Sequence, residues 1–258
     1  MQQGNKTIKL HAFVRNFSRL FNQFGARLIQ ILPINDTSCR LNWRDSYPYS
    51  ALSVFALHPI YLRVKNLTDD TTILKEAEAA AKKLNPLVQI DYEAVFNTKI
   101  NLAKRVYLAQ KKTFLASASL KEFIKENEEW LIPYAVFVHL RDVYKTSNWS
   151  KWEDKHKNLK MTEIKKLAEE FADEVGFNYF LQYHLHLQLK EATSYAESQK
   201  IGIKGDLPIG VNPASTDSWM NPNLFRLQMS TGAPPDQFCE YLIVSRNDSK
   251  LITFISFR

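Results

Sequence analysis

Asp206 lies in the stretch of this chain that is best suited to chemistry on a ligand. Residues 203–211 (IKGDLPIGV) are mostly apolar around this acid, which predicts a buried strand. Gly205 lets a backbone or a ligand approach closely, and Pro208 predicts the strand's end, because proline cannot donate to a ladder. An acid where a buried strand meets its loop is typical of a site in an α/β barrel. The alternative is an aspartate that caps a turn.

A second polar segment, residues 35–50, follows another apolar run. That run, residues 27–34 (RLIQILPI), predicts a buried strand of a parallel sheet that ends near Pro33. The polar segment contains Asp45 and Tyr49 among further aromatic and hydroxyl side chains. Aromatic rings stack on the apolar faces of sugars, while carboxylates and hydroxyls bond sugar hydroxyl groups, so this composition suits a polyol ligand. The alternative is an Ω-loop packed around its own side chains.

Two further loop segments follow the predicted strand that carries Asp206. Residues 212–219 read NPASTDSW and residues 232–238 read GAPPDQF, and together they are rich in proline, aspartate, serine and tryptophan. Loops of this length in a compact domain are usually functional or disordered. Asp45, Tyr49, Trp219 and the other loop aromatics are therefore candidates for contact with a sugar chain.

The histidines and cysteines predict neither a metal centre nor a catalytic triad. His184 and His186 stand two positions apart on a predicted helix, so they point to different faces and we expect packed or hydrogen-bonded side chains. The sequence has no glycine-rich phosphate-binding motif, which leaves nucleotide chemistry without support. Cys39 and Cys239 are far apart, so no disulfide framework follows and a reducing cytosol is the simplest compartment.

Composition and charge favour a globular protein of the cytoplasm. The 258 residues are 45% hydrophobic, which is enough for one large domain or two small ones. The net charge is +7, but the lysines are scattered among acids, which indicates solvated helix faces and no nucleic-acid partner. No apolar run approaches transmembrane length, and the first residues lack the apolar core of a signal peptide, so we expect no membrane association.

Helical periodicity accounts for most of the remaining sequence. Apolar steps of three and four predict an amphipathic helix over residues 10–24, stopped by Gly25, so that helix, glycine and strand form one α/β unit. Residues 68–200 are predicted to be mostly helical. The predicted helices there are residues 73–84, a lysine-rich helix after Asp91, a short helix to Ile124 with a capping box of Ser119 and Glu122, residues 130–144 with Pro133 in the first turn, residues 161–175 ended by Gly176, and residues 177–198.

Six segments, taken together and in this order, resemble the 4-α-glucanotransferases of glycoside hydrolase family 77, also called amylomaltases or disproportionating enzymes. The sequence around residues 45–50 is most similar to that of the larger subgroup, which carries starch-binding domains upstream. The matching segments are residues 28–37 (LIQILPINDT), 45–50 (DSYPYS), 130–135 (WLIPYA), 182–186 (QYHLH), 204–210 (KGDLPIG) and 232–236 (GAPPD).

The resemblance implies a fold and an activity. The fold class is α/β, a partial (β/α)8 TIM barrel with a large helical insertion between strands. The activity is the transfer of α-1,4-glucan segments between maltooligosaccharides with retention, in starch or maltose metabolism and without a metal or organic cofactor. By this likeness Tyr49 lines the donor subsite and Asp206 stands beside the donor sugar as a supporting acid. Asp45, and Asp236 in a loop over the active site, complete the implied substrate-binding set.

The resemblance also divides the chain and marks where it ends. It implies a first part of the barrel in residues 1–67, the helical insertion in residues 68–200, and a barrel strand with an active-site loop in residues 201–238. Residues 239–258 diverge, and no segment matches the family's nucleophilic Asp, its acid/base Glu or its third Asp. We therefore expect no catalytic residue in this chain and no transfer by it alone; the alternative function is a non-catalytic carbohydrate-binding fragment.

Overall fold

The computed structural model describes residue 20, residues 24–208 and residues 210–227. Within these residues, two short strands pair in parallel, with Leu28 opposite Gly202 and Gln30 opposite Lys204. Helices occupy most of the chain between the two strands. The elements are β1 (Leu28–Gln30), α1 (Thr71–Leu84), α2 (Tyr92–Ala116), α3 (Ala118–Tyr144), α4 (Met161–Glu170), α5 (Ala172–Ser198), β2 (Gly202–Lys204) and α6 (Thr216–Met220).

Both strands are shorter and more exposed than the sequence predicts. Ile29 is buried, but Leu28, Leu32 and Leu207 expose 58%, 61% and 78% of their surface, so the expected buried strands over residues 27–34 and 203–211 are wrong in extent. The reason is a change of backbone partner after β1. Residues 34–36 bond to the segment around residues 52–58 instead of continuing the parallel ladder, for example from Asp36 N to the Ala56 carbonyl at 2.8 Å.

Gly25 adopts the backbone conformation that the sequence predicts for it. Its φ is +74°, a left-handed conformation that glycine adopts without steric cost, and Phe24 N still donates to the Leu20 carbonyl at 3.3 Å. Most of the predicted helix over residues 10–24 lies outside the described residues. The glycine turn and the parallel strand after it are therefore confirmed, and the helix before them stays a prediction.

Helices α1 and α2 begin where side-chain caps are available. The Asp70 carboxylate accepts from the N–H groups of Thr72 and Ile73 at the start of α1, and the Asp91 carboxylate accepts from Ala94 N at the start of α2. Each acid satisfies backbone donors that have no partner in a first helical turn. The predicted helix over residues 73–84 and the lysine-rich helix after Asp91 are both confirmed.

Helix α3 replaces two predicted helices by one. The cap is Ser117, whose hydroxyl accepts from Leu120 N at 3.4 Å, so the predicted box of Ser119 and Glu122 is wrong by two residues. The helix continues through Pro133, which was predicted in a first turn and lies in the interior instead. An interior proline costs about 3 kcal/mol. The dense packing of the residues that follow, which are almost fully buried through Phe137, offsets this cost.

The break between α4 and α5 occurs at Phe171, and the predicted break at Gly176 is wrong. Phe171 has φ −106° and ψ 39°, whereas Gly176 lies inside α5. A Cβ atom at Gly176 would stand 2.5 Å from the Tyr107 hydroxyl oxygen on α2. The glycine is therefore used for a close approach of two helices, which a pattern read along one segment does not reveal.

Two glutamines of α5 hold the segment over residues 57–63, which contains a 3-10 helix at Pro59–Tyr61, against the helix. The Gln182 amide accepts from Leu57 N at 2.8 Å and donates to the Leu57 carbonyl at 2.9 Å. Gln188 makes the same pair of bonds to Arg63 at 2.8 and 3.1 Å. Leu57 and Arg63 are six positions apart, as are Gln182 and Gln188, so the segment runs alongside the helix. The backbone N–H and carbonyl groups of the segment thereby gain hydrogen-bond partners.

The core has an aromatic part on each side of α3. On one side, Tyr107, Phe114 and Phe180 join α2 to α5. On the other side, Trp219 packs against Phe137 and Trp152, and its indole N–H donates to the His156 carbonyl at 2.9 Å. Only 2% of Trp219 is exposed, so the expectation that it contacts a sugar is wrong.

Among the described residues, no helix has the length and apolar character to cross a membrane.

The two histidines of α5 behave differently, as their spacing predicts. His184 packs between Phe114 and Phe180, and its Nε2 atom is buried without a hydrogen-bond partner. Burial lowers the pKa of His184 to about 4. His186 is exposed at the surface of the helix and lies beside Phe123. The pair does not chelate.

This difference predicts a pH dependence of stability. Between about pH 4 and 6.5 the unfolded state binds a proton at position 184 that the folded state excludes, so stability rises with pH across this window. When the pH falls from 6.5 to 5, protonation of His184 in the unfolded state should lower the free energy of unfolding by about 1.5 kcal/mol. We expect His184→Leu to lack this part of the loss. His186→Leu is the matched control and should keep the parent slope. Urea unfolding at several pH values measures both; equal slopes for the two variants would contradict the prediction.

Candidate functional site

The carboxyl ends of β1 and β2 lie at one edge of the sheet, and their loops meet there. The Tyr49 hydroxyl donates to Asp206 Oδ2 at 2.9 Å, across 157 residues of sequence. Both side chains are half-buried. Parallel strands bring their following loops together at the carboxyl edge, which is where open α/β sheets and barrels bind ligands. Two of the residues singled out in the sequence are therefore in direct contact.

Asp206 has two structural roles. Its Oδ1 atom accepts from the adjacent Leu207 N at 2.9 Å, while its Oδ2 atom accepts from Tyr49. The hydrogen bond to this carboxylate is the main cause that raises the pKa of Tyr49. One oxygen thus organises the turn and the other accepts from the facing loop, while a contact of Asp206 with a ligand stays a prediction. A carboxylate beside a phenol forms charge-assisted hydrogen bonds, and the same groups can bond ligand hydroxyls.

Asp45 is used by its own loop. Its carboxylate is almost fully buried and accepts from Arg40 N at 2.9 Å and from Leu41 N at 2.6 Å. Leu41 has φ +56°, an unfavourable left-handed conformation for a side chain of this size, and these bonds hold it there. Burial raises the pKa of Asp45 to about 6, although the backbone donors oppose this shift. A direct contact of Asp45 with a sugar stays a prediction.

The segment that carries Asp45 and Tyr49 has a packed base and an aromatic rim. Asn42 caps a short 3-10 helix, Trp43–Ser46, by accepting from Arg44 N at 3.0 Å. At the rim, Trp43 exposes 45% of its surface, and the rings of Tyr47 and Tyr49 lie 5.6 Å apart. The base of the segment is packed as the Ω-loop alternative predicts, and the binding of a polyol at its rim stays a prediction.

A buried polar network beneath this loop was not predicted. The Asp36 carboxylate is fully buried and accepts from the Tyr134 hydroxyl at 2.6 Å and from Ser38 N at 2.9 Å. Gln182 donates to the Tyr134 oxygen at 3.2 Å, and the Arg141 guanidinium donates to the Ser38 carbonyl and hydroxyl. Asp36, Tyr134 and Gln182 each fall in a segment that resembles the family. Only the folded chain shows that they bind one another.

His58 lies beside this network as a neutral side chain. Its Nδ1 atom accepts from Ile60 N at 3.1 Å, so the ring proton is on Nε2, which lies 2.8 Å from the Tyr92 hydroxyl. Burial lowers the pKa of His58 to about 4, despite Asp36 Oδ1 at 3.9 Å from Nδ1. The close approach of His58 and Asp36 is therefore not an ion pair near neutral pH.

The loop over residues 212–219 is ordered and packs on the first loop. Ser215 caps the short helix α6 by accepting from Ser218 N at 3.1 Å. Thr216 N donates to the Leu52 carbonyl at 2.8 Å, and Val54 N donates to the Asp217 carboxylate at 3.0 Å. A loop of this length could be functional or disordered, and this one is ordered.

The remaining sequence-based site predictions have separate outcomes. Asp236 and the loop over residues 232–236 lie outside the described residues. Within the described part of the chain, no three histidine, cysteine, aspartate or glutamate side chains are grouped as a metal site requires. The site that the structure presents therefore consists of Tyr49 and Asp206, with the aromatic rim beside them and the Asp36 network beneath.

Comparison with known proteins identifies relatives of the chain. A family model described as 4-alpha-glucanotransferase matches residues 8–241. The 4-alpha-glucanotransferase DPE2 of Oryza sativa subsp. japonica is 47% identical over 218 residues, which are 83% of this chain and 23% of that protein. The 4-alpha-glucanotransferase of Clostridium butyricum is 30% identical over 231 residues, 87% of this chain and 46% of that protein. The chain thus spans less than half the length of these relatives.

Solved structures give the same result for the fold. An amylomaltase from Streptococcus agalactiae, solved in complex with acarbose, matches with a TM-score of 0.68 and 22% identity over 88% of this chain and 46% of that one. The amylomaltase from Corynebacterium glutamicum matches with a TM-score of 0.64 and 20% identity over 89% of this chain and 32% of that one. The described chain therefore has the fold of part of an amylomaltase.

The buried network predicts a specific loss of stability. Tyr134→Phe removes the hydroxyl that donates to Asp36 Oδ2 and leaves this buried acceptor with one fewer partner. We expect the free energy of unfolding to fall by about 2 kcal/mol, because an unsatisfied buried acceptor costs about 1–3 kcal/mol. Tyr179→Phe, at a half-buried position in α5, is the control and should change it by less than about 0.5 kcal/mol. Urea unfolding that gives equal losses for both variants would rule out this role for Tyr134.

Proposed function

Because this chain belongs to the 4-alpha-glucanotransferase family, we propose that it is the part of such an enzyme that binds the donor sugar of an α-1,4-glucan. The hydrogen bond between Tyr49 and Asp206 is the observation that carries this proposal. It places an aromatic ring and a carboxylate together at the carboxyl edge of parallel strands. A ring face and a hydrogen-bonding acid are the two contacts that a glucose unit needs.

The proposed architecture is part of a (β/α)8 barrel. Under this proposal β1 and β2 are neighbouring barrel strands, residues 1–67 and 201–238 are barrel segments, residues 68–200 are an insertion between them, and residues 239–258 are a divergent tail. The parallel pairing of β1 with β2 and the helices α1 to α5 between them support this division. Parallel strands require a crossover, and here the crossover is the whole helical region.

The proposed roles follow from the positions of the side chains. Asp206 Oδ2, which now accepts from Tyr49, would accept from sugar hydroxyls, and the Tyr49 ring would cover an apolar sugar face. Asp45 would act through the loop that it holds, or directly if that loop opens, and Asp236 belongs to the proposed substrate-binding set. None of these groups attacks the sugar. In a retaining transfer, one carboxylate forms the glucosyl-enzyme bond and a second acts as acid and then as base.

We propose that the chain alone binds glucan without transferring it. No segment of the sequence resembles the family's nucleophile, its acid/base glutamate or its third aspartate. Loss of a covalent nucleophile alone lowers the rate by roughly 10⁴ or more. The transfer of α-1,4-glucan segments between maltooligosaccharides would then belong to the assembled family fold, and this chain would be a carbohydrate-binding part of it. The proposed location remains the cytoplasm.

Binding of maltoheptaose, followed by calorimetry, tests the proposed site. We expect Asp206→Ala to weaken binding about tenfold or more, because a charged hydrogen-bond acceptor to the sugar contributes about 1.5–3 kcal/mol. Asp154→Ala is the matched control, since that carboxylate is 99% exposed in another part of the chain, and it should leave the affinity unchanged. The absence of measurable maltoheptaose binding to the folded parent chain would refute the proposal.

Incubation with maltotriose tests the absence of transfer. We expect neither glucose nor longer maltooligosaccharides above the level of a blank without protein, as measured by chromatography of the products. Robust release of both products, and its persistence in a second preparation purified by another route, would contradict this expectation.

A further inference from the structure

Asn212 joins the two loops of the candidate site. Its side-chain N–H group donates to the Ser50 hydroxyl at 3.1 Å and to Cys39 Sγ at 3.1 Å. These contacts span 162 and 173 residues of sequence. Its Oδ1 atom accepts from Ala214 N at 2.9 Å, which fixes the orientation of the amide. Asn212 therefore uses both ends of its side chain, one for its own loop and one for the loop that carries Tyr49.

The bond to Ser50 belongs to a series of four contacts that follow the same order along both loops. Residues 49, 50, 52 and 54 of the first loop bond in order to residues 206, 212, 216 and 217 of the second loop. Two of the four contacts use a side-chain group from each loop, namely those made by Asp206 and Asn212. The two loops thus run alongside each other, and the distance from Ser50 to Asn212 limits where the neighbouring Tyr49 can place its ring.

Cys39 serves in this arrangement as an acceptor. Burial raises the pKa of its thiol to about 12, so it stays neutral, and it follows Ser38, whose carbonyl and hydroxyl accept from Arg141. Asn212 therefore contacts the first loop at both of its ends. One contact is to Cys39, next to the residue that Arg141 holds, and the other is to Ser50, next to Tyr49. A side chain that holds these two points sets the opening of the loop between them.

We infer that Asn212 is a positioning residue for the glucan site, which fixes the loop over residues 39–50 and thereby the distance between Tyr49 and Asp206. This inference rests on the proposed function, because it concerns the geometry of the same site. Asn212 itself touches no sugar. Its role is to keep the donor-side contacts in place before the ligand arrives, which lowers the entropic cost of binding.

The test combines sugar binding with amide exchange in the loop. Asn212→Ala should weaken maltoheptaose binding about fivefold to tenfold, which corresponds to the loss of about one to one and a half net hydrogen bonds. The same variant should exchange the amide hydrogens of Arg40, Leu41 and Asp45 about tenfold faster, because these amides depend on the loop being closed. Asn223→Ala, an exposed asparagine of the same region, is the control and should change neither quantity.

A double-mutant cycle separates positioning from general stability. Ser50→Ala removes the acceptor, so the double variant of Ser50 and Asn212 should bind maltoheptaose no more than about twofold more weakly than Asn212→Ala alone. Fully additive losses, or a lowered melting temperature with unchanged affinity and exchange in Asn212→Ala, would overturn the inference. If the parent chain binds no maltoheptaose, the proposed function fails, and the amide exchange rates still decide the positioning role: unchanged rates in Asn212→Ala refute it.

Discussion

The structure depends on the satisfaction of one buried carboxylate. The Asp36 side chain follows β1 and is fully buried, where a polar group without hydrogen-bond partners would cost about 1–3 kcal/mol of folding free energy. Tyr134 from α3 donates to it, and Gln182 from α5 donates to Tyr134. The position of the loop after β1 is therefore held by side chains of both helices.

The helices act as a scaffold for backbone that has no regular structure. Gln182 and Gln188 satisfy both backbone groups of Leu57 and Arg63, and Arg141 satisfies the carbonyl of Ser38. Chain segments that would otherwise leave buried donors and acceptors without partners are thus fixed by side chains from α3 and α5. This explains how long loops at the sheet edge remain ordered although β1 and β2 contribute only three residues each.

Local signals were sufficient for the helices and insufficient for their limits and for the strands. Asp70 and Asp91 stand where caps are expected, because a cap acts on backbone donors a few residues away. The sequence predicts a helix end at Gly176 because glycine often ends helices, but this glycine makes room for Tyr107 of another helix. The strands failed for a similar reason: their extent depends on which distant segment pairs with residues 34–36.

The sequence by itself determined the family and the helical character of the middle of the chain, and it predicts Tyr49 and Asp206 as site residues. These follow from residue types and short spacings, or from segments that resemble known proteins. Only the tertiary structure decided that Tyr49 bonds Asp206, that Asp45 holds its own loop, that Trp219 is core, and that Asp36 and Asn212 connect distant segments. The physical reason is that a hydrogen bond depends on distance and direction in space, and residues more than a hundred positions apart carry no local signal of either.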